Sequence, residues 1–220
     1  MLPTHHLDPE LLMDYAAGTC SESAGLLIAT HLALCPLCRD EVARMERLGG
    51  TLLDSAAAAP VDQDSLAKVM AKLDQPEPIE TADRQTWAEQ AATGPQIPRP
   101  LSDYVGRSFD DIQWRQLIPG FSEHRIDKLE GVRASLLRIR PGKNMPLHSH
   151  DGSELVMVLS GGYHDKFGSF KRGDVAIADA DVEHQPIADL GEDCICLSIT
   201  DAPLRLTGPI GRLINPFVRF

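Results

Sequence analysis

Apolar positions recur every three or four residues in the first third of the chain and close to every second residue in its second half. The first pattern predicts helices. Asp8 suits the N-cap of a helix with Pro9 at its first position, which runs through Leu11, Leu12 and Tyr15 and stops at Gly18. Ser21 or Ser23 opens a second, apolar helix through Leu26, Leu27 and Ile28 to about Cys35. Pro36 fits the first turn of a third, which carries Val42, Met45 and Leu48 at spacings of three. A fourth, short helix follows from Asp64, with Leu66, Val69, Met70 and Leu73 on one face.

Between residues 76 and 100 the apolar content falls and Pro76, Pro78, Pro95, Pro98 and Pro100 interrupt any regular element, with Trp87 in a short helical stretch. This reads as a linker. Beyond it, Ser135–Ile139, Leu155–Leu159, Val175–Ala178 and Cys194–Ile199 read as strands separated by Pro141-Gly142, Gly161-Gly162, Lys171–Asp174 and Gly191. Strands of that length and spacing predict an antiparallel β-barrel or jelly roll. The expected architecture is two-domain α + β. Residues 1–75 form a small helical domain of about four helices, 76–100 the linker and 101–220 the barrel.

Composition narrows the function classes. The chain of 220 residues is 43% hydrophobic and 24% charged, which excludes collagen-like, coiled-coil and wholly disordered proteins. Its 21 Lys and Arg against 32 Asp and Glu give a formal net charge of −11, unsuited to neutralising a phosphate backbone. No direct nucleic-acid contact is expected, and a basic protein partner suits the charge better. No stretch has the roughly 18 apolar residues of a membrane span. The first twenty residues carry Asp8, Glu10 and Asp14 but no Lys or Arg, unlike a signal peptide. A cytoplasmic location without membrane contact is therefore expected. There, five cysteines are more often metal ligands or redox groups than disulfides.

Two constellations carry chemistry. The first is His31-x3-Cys35-x2-Cys38. Residues four apart share a helix face, so the His31 imidazole and the Cys35 thiolate converge. Cys38 comes round from the next helix, with Pro36 at the corner. Zinc takes four nitrogen and sulfur ligands, and His6 or His5 would supply the fourth. The plainer reading makes Cys35 and Cys38 small buried hydrophobes, and the register of His31 weighs against it.

The second constellation is Gly142-x5-His148-x-His150-x3-Glu154-x6-Gly161, followed by Gly173-x5-Asp179-x-Asp181-x2-His184. In a strand, His148 and His150 point to the same face. Glu154 returns to it after the Asp151-Gly152-Ser153 turn, and His184 arrives from a distant strand. Three imidazoles and a carboxylate suit one divalent metal: Zn, Mn, Fe, Ni or Cu. The glycines, the glutamate and the late histidine fall at the intervals of the two cupin motifs, which this stretch resembles. Where that pattern usually has Pro-x-Gly and, four residues after the histidine, Asn, this chain has Asp179-x-Asp181 and Ala188.

Elsewhere the simpler reading prevails. Cys20 lies past the end of the first helix as a bystander, and His124 and His164 are expected to be solvated. Cys194 and Cys196 share a strand face, where packing is the expected role and a redox role the alternative, although a disulfide fits the geometry poorly. Arg138, Arg140 and residues 216–220 look structural.

A helical segment with His6, His31, Cys35 and Cys38 joined to a cupin resembles the zinc-binding anti-sigma factors, and within them the ChrR-type family. The likeness extends to Leu101-Ser102-Asp103-Tyr104-Val105-Gly106, Asp193–Leu197 and Thr200–Arg205. It implies zinc on His6, His31, Cys35 and Cys38, and a second metal, with zinc foremost, on His148, His150, Glu154 and His184. It also implies a non-enzymatic regulator that holds an extracytoplasmic-function sigma factor until singlet oxygen or an organic peroxide acts through the cupin. In residues 1–60, Arg39, Arg44 and Arg47 stand against eight acidic side chains, which suits a basic sigma surface. Two other readings stand beside it. One is a metal-dependent cupin enzyme, a dioxygenase or isomerase with no evident acid–base set beyond the metal ligands, that uses the helical domain for docking. The other is a zinc-stabilised interaction domain whose cupin forms a homodimer.

Overall fold

The structure, a computed structural model, describes residues 2–73, 97–127, 129 and 132–208. It divides into two compact units, one of Met1–Arg47 with Pro95–Phe220 and the other of Leu48–Gly94. Helix α1 (Pro9–Ala17) begins after Asp8, whose side chain makes no capping bond. It ends at Gly18, whose left-handed φ of 70° turns its N–H back onto the carbonyls of Asp14 and Tyr15. Helix α2 (Glu22–Leu34) is capped by the Ser21 side chain, which accepts the Ala24 N–H. It buries Leu26, Leu27, Ile28, Thr30, His31 and Leu32 around its circumference, as a central helix does. Helix α3 (Pro36–Asp54) follows at once, and Arg39 donates to the Leu32 carbonyl at the end of α2.

In the smaller unit, α4 (Ser65–Leu73) buries none of its residues, although Leu66, Val69, Met70 and Leu73 recur at helical spacing. Most of the expected linker, residues 76–96 with Trp87, lies outside the described residues, as does 216–220. Helix α5 (Arg99–Val105) begins inside that expected linker. Pro98 and Pro100 do not prevent it, because first-turn positions need no N–H donor. It packs on α2, with Leu101 fully buried and the Tyr104 hydroxyl donating to Glu22 at 2.9 Å.

The strands form an antiparallel cupin fold. Six of them, β1 (Arg115–Ile118), β2 (Phe121–Arg125), β3 (Arg133–Ile139), β5 (Glu154–Ser160), β8 (Val175–Ala178) and β10 (Cys194–Thr200), lie in the order β1-β2-β3-β10-β5-β8. A three-stranded sheet holds β6 (Gly162–Asp165), β7 (Gly168–Lys171) and β9 (Ile187–Ala188), and β4 (His148–His150) pairs with β11 (Leu204–Leu206). The four expected strands are present, each within two residues of its expected ends. The strand expected at His184 is reduced to one bridge to His148.

Strands β5 and β10 are buried on both faces. Leu155, Met157, Leu159, Ile195, Leu197 and Ile199 share one core with Leu27 and Ile28 of α2. Val158, Cys194 and Cys196 pack from the opposite face with Phe121, Ile139, Tyr163 and Phe170 inside the barrel. One sheet thus serves two cores.

Glu123, on β2, is buried with an ion pair to Arg133 and another to Arg115 at 2.5 Å. Burial pushes its carboxyl up, but the hydrogen bonds from Arg133 and Arg115 outweigh this and hold it below the usual range. Removing Arg133 leaves an undercompensated buried charge, so Arg133→Ala is expected to cost about 3–5 kcal/mol in denaturant titration. The depressed group stabilises the fold above the unfolded carboxylate value of about 4.3, and this is lost as pH falls through the folded value. The denaturation midpoint of Glu123→Gln should accordingly fall less steeply than the parent's below about pH 4.

Two candidate metal centres

His6, His31, Cys35 and Cys38 converge, each offering a donor atom within 4.8 Å of the others. His31 and Cys35 lie one helical turn apart at the end of α2, and Cys38 enters from the first turn of α3. The His6 Nδ1 lies 3.4 Å from the Cys35 sulfur and 3.6 Å from that of Cys38. His5 turns elsewhere: its ring lies against Phe170 at 4.3 Å, and its Nδ1 is 3.6 Å from Asp174.

His31 is fully buried, and its Nδ1 lies 2.8 Å from the Gly173 carbonyl. A carbonyl only accepts, so Nδ1 carries the proton and Nε2 is left as a bare lone pair. Among the described residues Nε2 has no hydrogen-bond partner. Burial, ahead of repulsion from His6, pushes His31 down and keeps it neutral. Burial, reinforced by Cys35, pushes the Cys38 thiol up to about 11. A bare buried imidazole facing two thiols fits a thiophilic cation such as zinc, whose charge favours the thiolates.

The second cluster places His148 and His150 on β4, Glu154 at the start of β5 and His184 at the bridge to His148, again with donor atoms within 4.8 Å. All four are buried. The His148 Nδ1 donates to the Pro146 carbonyl at 2.8 Å, and the His184 Nδ1 faces a carboxylate oxygen of Asp165 at 2.9 Å. These bonds leave the opposite ring nitrogens free for a ligand. The His150 Nε2 lies 3.4 Å from the His184 Nε2, a close approach of two such atoms. Glu154 accepts from the Ser198 hydroxyl at 2.9 Å. Burial pushes Glu154 up to about 7 and both His148 and His150 down to about 4. Neutral imidazoles and a carboxyl poised near neutrality suit one divalent cation. Beside them opens a cavity of about 80 Å³, lined mainly by apolar side chains that include Phe121, Leu137, Met145 and Leu204.

Both expected ligand sets are thus brought together. The supports are what sequence reasoning missed: Asp165 behind His184, Ser198 beside Glu154 and the Gly173 carbonyl behind His31. None carries a local signal, since each is distant in sequence from the group it holds. His124 and His164 join neither cluster: His124 bonds the Gln113 carbonyl, and half-exposed His164 pairs with Asp189. Cys20 also stands apart. Cys194 and Cys196 are buried thiols with sulfurs 3.6 Å apart, well beyond a bond. Arg138 ion-pairs with Asp193. No described helix is long and apolar enough to cross a membrane.

Residues 103–202 match the ChrR cupin-like domain family. Over 219 residues the chain is 42% identical to the anti-sigma-E factor ChrR of Cereibacter sphaeroides, covering 98% of each. The chain belongs to the ChrR family. It is also similar to a chain in the crystal structure of Rhodobacter sphaeroides SigE in complex with the anti-sigma ChrR, with 40% identity and a TM-score of 0.74. That match covers 90% of this chain and 98% of the other. An RmlC-like cupin protein from Ralstonia eutropha JMP134 is 24% identical over 47% of this chain and 71% of its own, with a TM-score of 0.40.

In this ChrR-family barrel the Asp165 carboxylate fixes the ring orientation of His184. Asp165→Ala is expected to weaken metal binding at the barrel cluster by about 10–100-fold while sparing the cysteine cluster. Competition with a chelator, read separately for the two ions, measures this.

Proposed function

We propose that the chain is a cytoplasmic anti-sigma factor. It sequesters an extracytoplasmic-function sigma factor through its helical segment and releases it on oxidative stress sensed through the cupin. The observation that carries the reading is the full-length likeness to the anti-sigma-E factor ChrR, joined to the similar chain in the complex with SigE. His6, His31, Cys35 and Cys38 would hold zinc, which would tie together the three chain segments that carry them. Such an ion would contribute folding energy, on the order of 10–16 kcal/mol in zinc-finger peptides.

The chain's own surface supports such docking. Leu48, Leu52 and Leu53 of α3 and Leu66, Val69, Met70 and Leu73 of α4 are exposed. Apolar side chains at helical spacing without a core to enter are the usual anchors of a helix that binds a groove. The formal net charge of −11 favours encounter with a basic partner. In the cupin, His148, His150, Glu154 and His184 would hold a divalent metal, zinc foremost, beside the apolar cavity, and an oxidant would act there or on the Cys194–Cys196 pair. The work asked of the protein is binding and release, not turnover.

One observation favours a second reading, a cupin enzyme with a docking segment: its metal cluster opens on a cavity. Steady turnover of a small metabolite would favour it. Cys35→Ala and Cys38→Ala are expected to lose the N-terminal ion and to weaken sigma binding by at least about tenfold, as loss of structural zinc implies. Pull-down from cytoplasm with metal analysis reads both. A double variant that holds the sigma factor with parental affinity overturns the need for the N-terminal ion, and a parental chain that captures no sigma factor overturns the anti-sigma reading.

Sensing is tested with point variants, because α2 shares a core with the barrel and truncation would expose Leu27 and Ile28. His150→Ala and Glu154→Gln should keep the sigma complex yet slow its dissociation under singlet oxygen or an organic hydroperoxide. Dissociation at the parental rate would remove the cupin metal from the sensing step.

A further inference from the structure

The barrel reaches the cysteine cluster through one turn. Asp174, at the β7–β8 corner, is 2% exposed. One of its oxygens accepts the backbone N–H of Thr4 at 2.6 Å and that of His5 at 2.9 Å, and the other accepts the Lys171 N–H at 2.7 Å. The Thr4 hydroxyl adds a longer bond of 3.3 Å to the first oxygen. Val175 donates its N–H to the His5 carbonyl at 3.2 Å, so residues 4 and 5 run along the start of β8. Next to Asp174, Gly173 has a φ of 93°, and a Cβ there would lie 2.7 Å from Pro3. Only glycine lets the segment lie so close without adjustment. The Gly173 carbonyl also receives the His31 Nδ1–H.

Two neighbouring residues of the barrel therefore hold two of the four N-terminal donors. His31 is held directly, and His6 through the two residues before it. Residues 2–8 contain no helix or strand of their own, so His6 is placed by these bonds together with the burial of Leu7 beside it and the packing of the His5 ring on Phe170. The bonds from Thr4 and His5 are charge-assisted and part-buried, which makes them strong and directional. Outer contacts of this kind set the affinity and lifetime of a metal site as much as the ligands do.

We propose that the Gly173–Asp174 turn is a latch by which the cupin barrel governs retention of the N-terminal zinc, with Asp174 a positioning residue for His6. The proposal rests on the reading that His6, His31, Cys35 and Cys38 hold zinc, and its test keeps the two apart. The latch makes zinc lifetime in the helical segment a property of the barrel. The same carboxylate closes its own β-turn through Lys171, so a merely structural role is the competing explanation. That role predicts a less stable barrel and lost barrel metal, with no selective change at the cysteine cluster.

The experiment uses the full-length chain loaded with zinc. Release to a chromogenic chelator is followed together with alkylation of Cys35 and Cys38 and the metal content of the barrel cluster. Asp174→Ala is expected to release the N-terminal zinc about tenfold faster or more, in the range outer-shell partners command, and to speed thiol alkylation in step. Its barrel metal should be unchanged. Asp174→Asn, which keeps an acceptor oxygen for Thr4 and His5, should restore most of the parental lifetime. Pro3→Gly loosens the same segment from outside the barrel and should also hasten release, which keeps the test decisive if Asp174→Ala does not fold. Parental release rates in Asp174→Ala and Pro3→Gly would overturn the latch, as would loss of barrel metal in parallel with zinc. A parental chain that takes up no ion at Cys35 and Cys38 would instead overturn the zinc reading itself.

Discussion

A helix that is apolar on every side has to be covered on every side, and α2 is such a helix. Leu27 and Ile28 are fully sealed, and Leu26 and Leu32 nearly so. Part of the cover comes from the helical segment and α5, and the rest from β5 and β10. Those strands have the complementary problem: with a barrel core on one face, their other face presents Leu155, Met157, Leu197 and Ile199 to whatever lies outside. Burial is worth about 1.5–3 kcal/mol for each such side chain, so neither surface is stable alone in water. Docking α2 on the sheet satisfies both. It also brings His31, on the last turn of the helix, to the β7–β8 corner, where the Gly173 carbonyl meets its ring.

From that docking follows a division of labour around His31. A buried imidazole has two nitrogens to satisfy, and leaving either bare costs about 1–3 kcal/mol. The barrel satisfies one. The other faces Cys35, Cys38 and His6, which fixes both the tautomer and the direction in which the cluster assembles. At the second cluster, Pro146 and Asp165 do the same for His148 and His184. The two centres share this construction: backbone or carboxylate oxygens outside, converging donors within.

Much of this was legible in the sequence, for physical reasons. The first three helices announce themselves through Pro9, Gly18, Ser21 and Pro36, because caps and breakers act locally. Of the four main strands, β5 and β10 show as apolar runs because both their faces are buried, while β3 and β8 show through their apolar content and the turns that bound them. The ligand spacings were readable because helix and strand periodicity place residues four and two apart on one face. What escaped is non-local or weakly patterned. Strand β1 is exposed at most positions, and β9 has two residues, so neither offers an apolar signature. Asp165, Gly173 and Asp174 are turn or strand-end residues by composition. Their roles arise only when distant segments meet them, as Asp174 meets Thr4 across 170 positions.

The two clusters differ in what they leave over once a divalent cation is bound. Two thiolates and two neutral imidazoles would balance its charge and supply the four donors that zinc takes in a structural site. That is the chemistry of a cross-link. Three imidazoles and one carboxylate leave one positive charge uncompensated, in a site whose buried walls would raise its effective strength. This second cluster faces the cavity lined by Phe121, Leu137 and Met145, while the first lies against the barrel's outer corner. Charge balance and access thus point the same way. With a divalent cation in each, the cysteine cluster would have its donors used up and the histidine cluster would stand open to something small. Between them, β5 carries Glu154 at one end of its ladder with β8, paired with Ala178, and at the other end Met157 pairs with Val175, next to Asp174. A change in how Glu154 is held therefore lies one four-residue ladder from the turn that grips His31.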